Sequence, residues 1–339
     1  MLLADSSLHS FFDAVGKFFS SLADISWGAL LLGMLFHAMN LTLRSRAAFN
    51  VLRAAYPAER FQWRRIWGAY VGGVGFNSVV PARGGDIIKL FLARSSIPNS
   101  SYPAVGAGLA VDAIFDSSIG IIVLIFAFTQ GVFPKPPDFS KLNAFDLSFF
   151  ANHPRFALFV ITALAVLALV AFALLSARVK AFWARVRQGL TILRDRNRYL
   201  RQVYAVQGLG WLCRFAAFWF LLDAFHVGGS VRNVLLVFGV NAVSTIVPFT
   251  PGGAGVQQAL LVKVFAGTAS GATVAAYSVG QQIATAATSF GLGLAAVFFI
   301  FRFRSFKEVI RAGRADEALE KERRAGLASS GPAAPRARG

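Results

Sequence analysis

Cysteine is nearly missing from this chain. Cys213 stands alone, which excludes a disulfide within the chain and a cysteine-based zinc site. Charge is scarce: 15% of the 339 residues carry it, against roughly a quarter in water-soluble domains. Acidic residues are scarcer still, 16 against 34 Lys and Arg, so the few that occur inside apolar stretches stand out. Enzyme signatures are absent as well. His9, His37, His153 and His226 are scattered and form no H-E-x-x-H, and no G-x-S-x-G is present. The glycine-rich stretch "GAYVGGVGF" (Gly68–Phe76) lacks the G-x-x-x-x-G-K-[ST] pattern of a nucleotide loop. Its G-x-x-x-G, Gly68 and Gly72, reads instead as a close helix contact inside a membrane. Alternating ten-residue strands are missing, which argues against a β-barrel. Residues 1–26 have neither a basic start nor a long apolar core, so no cleaved signal peptide is expected. No catalytic residue, metal or cofactor is expected from these patterns.

What the chain does have is apolar surface. Hydrophobic residues make up 56% of it, including 34 Phe. That balance suits an all-α polytopic membrane protein. Apolar stretches near Trp27–Leu43, Ala104–Phe128, Phe156–Ser176, Val203–His226 and Val274–Phe301 approach or exceed the ~20 residues that cross a hydrocarbon core as helix. The formal net charge of +18 suits a nucleic acid in principle. Its placement says otherwise, because the basic residues sit in blocks between spans. Arg44–Arg65 holds six Arg and one Glu, Arg178–Arg201 eight basic residues and one Asp, and the chain after Phe301 ten basic and five acidic. Short Lys/Arg-rich loops stay cytoplasmic, so these blocks are expected on one side and residues 1–26 and 129–154 on the other. A disordered basic tail, 302–339, is expected to end the chain in the cytoplasm.

Side assignments then constrain two apolar regions, 66–97 and 233–270, which must each start and finish on the same side. Both are broken in the same way: "NSVVPARGGDIIKLF" (Asn77–Phe91) and "NAVSTIVPFTPGGAGVQQALL" (Asn241–Leu261) each carry an Asn, apolar residues, Pro and Gly-Gly. The simplest reading is about five full spans plus two re-entrant broken-helix hairpins arranged as an inverted repeat, residues 27–128 and 203–301 joined by a span at 156–176. Such repeats are the hallmark of secondary transporters, with the substrate near the breaks. Two ordinary short spans, or an interfacial helix, satisfy the same charge arithmetic. The half-segments of about 14 apolar residues fall short of ~20, which favours re-entrance.

The breaks define the candidate site. Pro81, Gly84 and Gly85 in the first, and Pro248, Pro251, Gly252, Gly253 and Gly255 in the second, uncover backbone groups at membrane depth. Uncovered backbone survives there only against protein or a wet cavity. The helix after each break would turn free N–H groups toward an anion. Arg83 adds a guanidinium suited to phosphate. The alternative is that Pro-Gly-Gly only turns a tip, closed by an Arg83–Asp86 pair. Lys89, three residues after Asp86, is placed to join that network. Asp112 and Asp116 share a face of the following span; they read as a counter-charge for Arg83, a proton-coupling acid or a fold-holding ion pair. Arg214, on the opposite helix face from Asp223, is a second head-group contact. Asn77, Asn241, Gln257 and Gln258 are placed to cap backbone or meet a ligand.

At these motifs the chain resembles the lysylphosphatidylglycerol synthase transmembrane-region, or flippase-like, family. "NSVVPARGGDIIKL" is similar to its N-x-x-x-P-x-R-x-G-E-x-x-R element, with Asp86 for Glu and Lys89 for Arg. "VDAIFD" is similar to E-R-x-x-D, with Asp112 for Glu, Ala113 for Arg and Asp116 matching. "VPFTPGGAGVQQA" is similar to P-x-x-P-G-G-x-G-x-x-E, with Gln258 for Glu. The resemblance covers roughly residues 27–300. It implies a multi-pass protein of a bacterial or archaeal inner membrane. Some members carry a C-terminal aminoacyl-transferase domain; with no such domain in this sequence, the resemblance implies translocation without synthesis. The expected partners are the membrane, a phospholipid or lipid-linked phosphate, and either a homo-oligomer or a separate lipid synthase, with no nucleic acid. Competing readings are a membrane-embedded enzyme using Asp112 or Asp116 as general base, and a scaffold recruiting a synthase through its basic loops.

Overall fold

The computed structural model describes residues 24–78, 84–130, 182–246 and 256–303, together with residues 311 and 315. Among them there are helices and no strands. The expected span at 156–176, the N-terminal segment and most of the basic tail lie outside the described residues.

The first helix, α1 (Trp27–Ala55), runs for 29 residues. Leu, Ala, Met and Arg dominate it, residues that lose little side-chain freedom in a helix. It stops one residue before Tyr56, which precedes Pro57 and is therefore pushed out of helical backbone. The sequence reading ended this span at Leu43 and made Arg44–Arg65 a loop. The structure corrects that: the helix carries Arg44, Arg46 and Arg53 on through about three more turns, to Ala55. Next come α2 (Trp63–Asn77) and α3 (Gly84–Ser95), which pack against each other as an antiparallel pair. α4 (Tyr102–Ala110) opens with proline in its first turn, where the missing N–H leaves no bond unmade. After a break at Val111, α5 (Asp112–Thr129) continues it, so the expected span Ala104–Phe128 is interrupted once.

In the second part, a helical stretch at 182–189 and a 3-10 turn (Thr191–Arg194) lead to α6 (Arg196–Tyr199). A π-turn at Leu200–Tyr204 joins it to α7 (Ala205–Ala224). α8 (Val231–Ile246) and α9 (Val256–Val264) follow, then α10 (Gly271–Phe299), whose first turn is capped by the Ser270 hydroxyl accepting from the Thr273 N–H at 3.1 Å. Among the described residues, three helical stretches are long and apolar enough to cross a membrane: Tyr102–Thr129, Arg196–Ala224 and Gly271–Phe299. Their outer faces carry exposed Ile121, Ile125, Leu209, Leu212 and Ile283, as lipid-facing helices do.

Packing divides the described chain into two main hydrophobic cores. One gathers residues of α1, α2, α3 and α4; the other gathers residues of α7, α8, α9 and α10. The cores are tied together reciprocally. Val123 and Ala127 of α5 sit in the second core, and Val297 of α10 sits in the first. α1 packs along α7, α2 along α10, and α8 along α5. Close approach at these seams depends on glycine. A Cβ on Gly75 would stand 2.5 Å from the Ser289 carbonyl and 3.1 Å from the Gly293 Cα. A Cβ on Gly239 would stand 2.8 Å from the Ala127 Cβ. The stretch Gly68–Phe76 does pack tightly, but at Gly73 against α3 and Gly75 against α10; of the expected pair, Gly68 meets only the side chains of Ile300 and Phe301, and Gly72 only those of Leu92 and Val297.

Candidate functional site

Where α2 ends and α3 begins, one asparagine organises the backbone. The Asn77 Oδ1 accepts from the Gly85 N–H at 2.7 Å, and its Nδ2 donates to Asp86 at 3.3 Å. One of the orphan donors of the α3 N-terminus is thereby satisfied. Asp86 sits in that first turn, favoured by the helix dipole, and Lys89 pairs with it at 3.4 Å across one turn. Gly84 and Gly85 open the helix, and no side chain fits at Gly85, where a Cβ would run into the Gly73 carbonyl. Pro81 and Arg83 lie outside the described residues, as do Pro248, Pro251, Gly252, Gly253 and Gly255.

The charged residues extend into a string. Lys89 Nζ stands 5.3 Å above the Tyr70 ring, within cation–π range. The Tyr70 hydroxyl accepts from Arg44 Nε at 2.9 Å, and Arg44 donates to Asp116 at 2.6 Å. Asp116 thus has Arg44 as its partner, a residue that sequence reasoning had placed in a loop. The reason is geometric: α1 continues past the apolar stretch and brings Arg44 beside α5. Asp112 and Asp116 stand at the same helical spacing yet take different partners. Asp112 is buried and accepts from Gln207 Nε2 at 2.5 Å. A small void beside them is walled by Asn40, Arg44, Phe115, Gln207 and Trp211.

Between the two cores lies a cavity of about 660 Å³. α1 contributes His37, Asn40 and Arg44 to its wall, α2 contributes Tyr70 and Val74, and α7 contributes Arg214. The opposite wall comes from Asn241 and Ser244 of α8, Gln257 of α9, and Gln281, Gln282 and Thr285 of α10. α2, before the first break, and α8 and α9, on either side of the second, therefore meet at one space, to which α3 contributes no wall residue. Of the predicted residues, Arg214 and Asn241 line it; Asp86 and Lys89 reach it at one remove through Tyr70; Asn77 closes the turn beyond. Gln258 does not line it. The glutamine on the cavity is its neighbour Gln257.

Electrostatically the cavity is one-sided. Arg44 is compensated by Asp116. Arg214 has no salt-bridge and no hydrogen-bond partner among the described residues; Asp116, held by Arg44, attracts it only through space, and its guanidinium rests 5.3 Å from the Phe238 ring centroid and 5.9 Å from that of Phe218. No Asp or Glu lines the cavity among the described residues. An amide row runs along one wall: Gln282 Nε2 donates to Gln257 Oε1 at 3.0 Å, and Gln257 Nε2 donates to Asn241 Oδ1 at 2.7 Å. His37 Nε2 and the Ser289 hydroxyl share a 3.0 Å hydrogen bond that ties α1 to α10. No group of three His, Cys, Asp or Glu side chains suited to a metal converges among the described residues.

Sequence reasoning missed His37, Asn40, Arg44, Tyr70, Gln281 and Gln282. Arg44 carried a readable signal, an arginine one residue past an apolar stretch. The others are ordinary polar residues on apolar helices, and nothing local distinguishes them.

Long apolar helices, two reciprocally joined cores and a cationic, amide-lined cavity between them define a multi-pass helical membrane protein with an internal polar site. The sequence profile of the lysylphosphatidylglycerol synthase TM region matches residues 6–293, and the chain belongs to that family. No curated protein and no solved structure matches the chain. The family places the protein in a membrane-lipid context.

Proposed function

We propose that the protein translocates an anionic or phosphate-bearing lipid across the cytoplasmic membrane, holding the head group in the central cavity while the acyl chains stay in lipid. The observation that carries this is Arg214. It is a guanidinium on a membrane helix, beside a cavity of about 660 Å³, with no anionic partner among the described residues. An unneutralised cation at membrane depth is costly unless it serves a ligand or pathway, and a guanidinium matches phosphate oxygens. Phosphate-sized anions are the ligands it suits best.

Helix lengths and contacts support the transporter architecture. At 1.5 Å per residue, α2, both of whose ends are described, is about 22 Å long, short of a ~30 Å hydrocarbon core. Each hairpin then dips into the bilayer and returns. The contact pattern is also what an inverted repeat produces: α1 meets its counterpart α7, while α2 meets α10 as α8 meets α5. In each unit an asparagine of the first half-helix bonds the opening turn of the second, Asn77 to Gly85 and Asn241 to Gln257. The N-terminus faces outside, the basic blocks and C-terminus face the cytoplasm, and the protein performs no chemistry on the lipid. Arg83, in the break itself, is a second contact for the phosphate.

The test is transbilayer movement of a fluorescent phosphatidylglycerol in vesicles holding purified protein. Arg214→Ala is expected to slow movement about tenfold or more, the worth of a charge-assisted hydrogen bond, while Arg214→Lys keeps part of it. Wild-type rates in a folded Arg214→Ala protein would remove the cavity from the mechanism.

A further inference from the structure

We infer that His37 is a proton site coupled to the head group: its imidazole takes up one proton when the lipid phosphate enters the cavity and gives it up when the phosphate leaves. This rests on the lipid-site reading above and names the ion linked to it. His37, Asn40, Leu41 and Arg44 recur at helical spacing on α1, so one face of that helix lines the cavity. His37 stands ten residues after Trp27, about 15 Å along the axis and so halfway through a ~30 Å hydrocarbon core. An ionisable group at that depth is costly and marks an ion or substrate pathway. Its two ring nitrogens are placed differently. Nε2 shares the 3.0 Å hydrogen bond with the Ser289 hydroxyl. A hydroxyl both donates and accepts, so that bond holds the ring whether the imidazole is neutral or charged. Nδ1 is buried and has no partner among the described residues. It can gain or lose a proton without breaking the tie between α1 and α10. Three further wall residues, Asn40, Ser244 and Gln281, each carry a buried side-chain oxygen with no partner among the described residues. Those oxygens can accept a hydrogen bond, but of these four groups only the imidazole titrates near neutral pH.

The charges around the ring couple its proton to an anion. Arg214 of α7 lines the same cavity and repels positive charge on His37 through space. Arg44, two turns further along α1, is tied to Asp116 of α5 and to the Tyr70 hydroxyl of α2. Lys89 of α3 stands behind the Tyr70 ring and pairs with Asp86. Asp112 of α5 is held by Gln207, off the cavity wall. α8, α9 and α10 bring no charged side chain to the wall among the described residues. Without an anion between them, an imidazolium and the Arg214 guanidinium repel each other. A phosphodiester held by Arg214 supplies the missing negative charge, whatever else the head group carries. Proton and anion then favour each other's binding, and by linkage each strengthens the other by the same factor. The added proton also cancels the charge of the diester, so the site loads with no net change in charge at membrane depth, where an unbalanced charge is costly.

The test uses the purified full-length protein in detergent and a short-chain phosphatidylglycerol, whose phosphodiester keeps its single charge across the range in which histidine titrates, about pH 5 to pH 8. Calorimetric titrations in buffers of different ionisation enthalpy count the protons taken up on binding. Uptake of up to about one proton per lipid is expected, with binding about tenfold tighter at the acid end of the range than at the alkaline end. Binding that takes up no proton and is flat across the range overturns the proposal without any variant. His37→Gln, which keeps a hydrogen-bonding amide opposite Ser289, is expected to hold the affinity at its weaker alkaline level at every pH, with no proton taken up. Uptake that persists in a folded His37→Gln protein also overturns it and assigns the proton to another group. A pH gradient imposed in the vesicle assay separates the two readings. Proton-linked binding without transbilayer movement sinks transport and leaves this proton site standing; movement that ignores the gradient, with no proton taken up on binding, does the reverse.

Discussion

Gly85 and Asp112 show how little room a single residue has in this fold. A methyl on Gly85 meets the Gly73 carbonyl and, 2.7 Å away, the Asn77 Oδ1 that holds the turn. Backbone cannot yield as a side-chain tip does. Gly85→Ala is therefore expected to cost about 1–3 kcal/mol, read as a lowered melting temperature in detergent. Gly291→Ala on α10, where nothing lies within 4 Å, is the control and should leave stability unchanged or raise it slightly. Asp112 is 7% exposed and depends on Gln207. Gln207→Leu leaves a buried carboxylate without its donor and is expected to destabilise by about 3 kcal/mol. Adding Asp112→Asn should restore most of that loss, because the charge is what became unpaired. If the double variant is no more stable than the single, the pair is not what holds this seam. The ionic partners themselves were hard to read. Asp86–Lys89 was visible at helical spacing, but Asp116 and Arg44 are 72 positions apart and only packing joins them.

At the level of elements, α1 is the largest departure from the sequence reading. Its 29 residues span about 43 Å, some 13 Å more than a ~30 Å core. Hydropathy marks where a helix leaves lipid, not where it stops being helical, so the basic residues looked like a loop. What ends it is Pro57, a signal that was present in the sequence. Exposed Leu35 and exposed Arg46 then lie in lipid and near water on the same helix. In a Cys213→Ser background, a cysteine at Arg46 should react with an impermeant maleimide from one side and a cysteine at Leu35 should not. The hairpins allow a parallel test. Arg64 at the mouth of α2 and Ser78 at its end are both exposed. A re-entrant hairpin keeps Ser78→Cys out of reach from the face opposite Arg64→Cys; ready labelling from that face would make α2 a crossing helix.

Across the whole molecule, the contacts that hold the two cores together are the ones the proposed transport would have to move. Each core is completed by the closing helix of the other unit, Val297 in one and Val123 with Ala127 in the other. Any opening of the central cavity to alternate sides must slide α5 past α8 or α2 past α10. The glycine seams suit such sliding, since small residues let helices approach without interlocking side chains. A disulfide between Ala127→Cys and Gly239→Cys would join α5 to α8, where a Cβ on residue 239 would stand 2.8 Å from that of Ala127, so the helices need part by only about 1 Å to reach the ~3.8 Å that a disulfide spans. In the Cys213→Ser background it is expected to stop lipid movement under oxidation and to release it on reduction. Undiminished movement in the fully cross-linked protein would place the working motion elsewhere.

Hydropathy, Pro-Gly-Gly breaks and helix formers act over a few residues, so the sequence alone determined the helical class, the approximate places of the described apolar helices though not the end of α1 or the break at Val111, and the family. Arg214 was singled out for the same local reason, a charge inside an apolar run. The tertiary structure decided which polar groups face one another. His37, Asn40, Tyr70, Gln281 and Gln282 acquire meaning only when helices far apart in sequence close around a common space. That closure depends on the shapes of glycine seams and on two cores sharing their closing helices, and no local pattern in the chain encodes it.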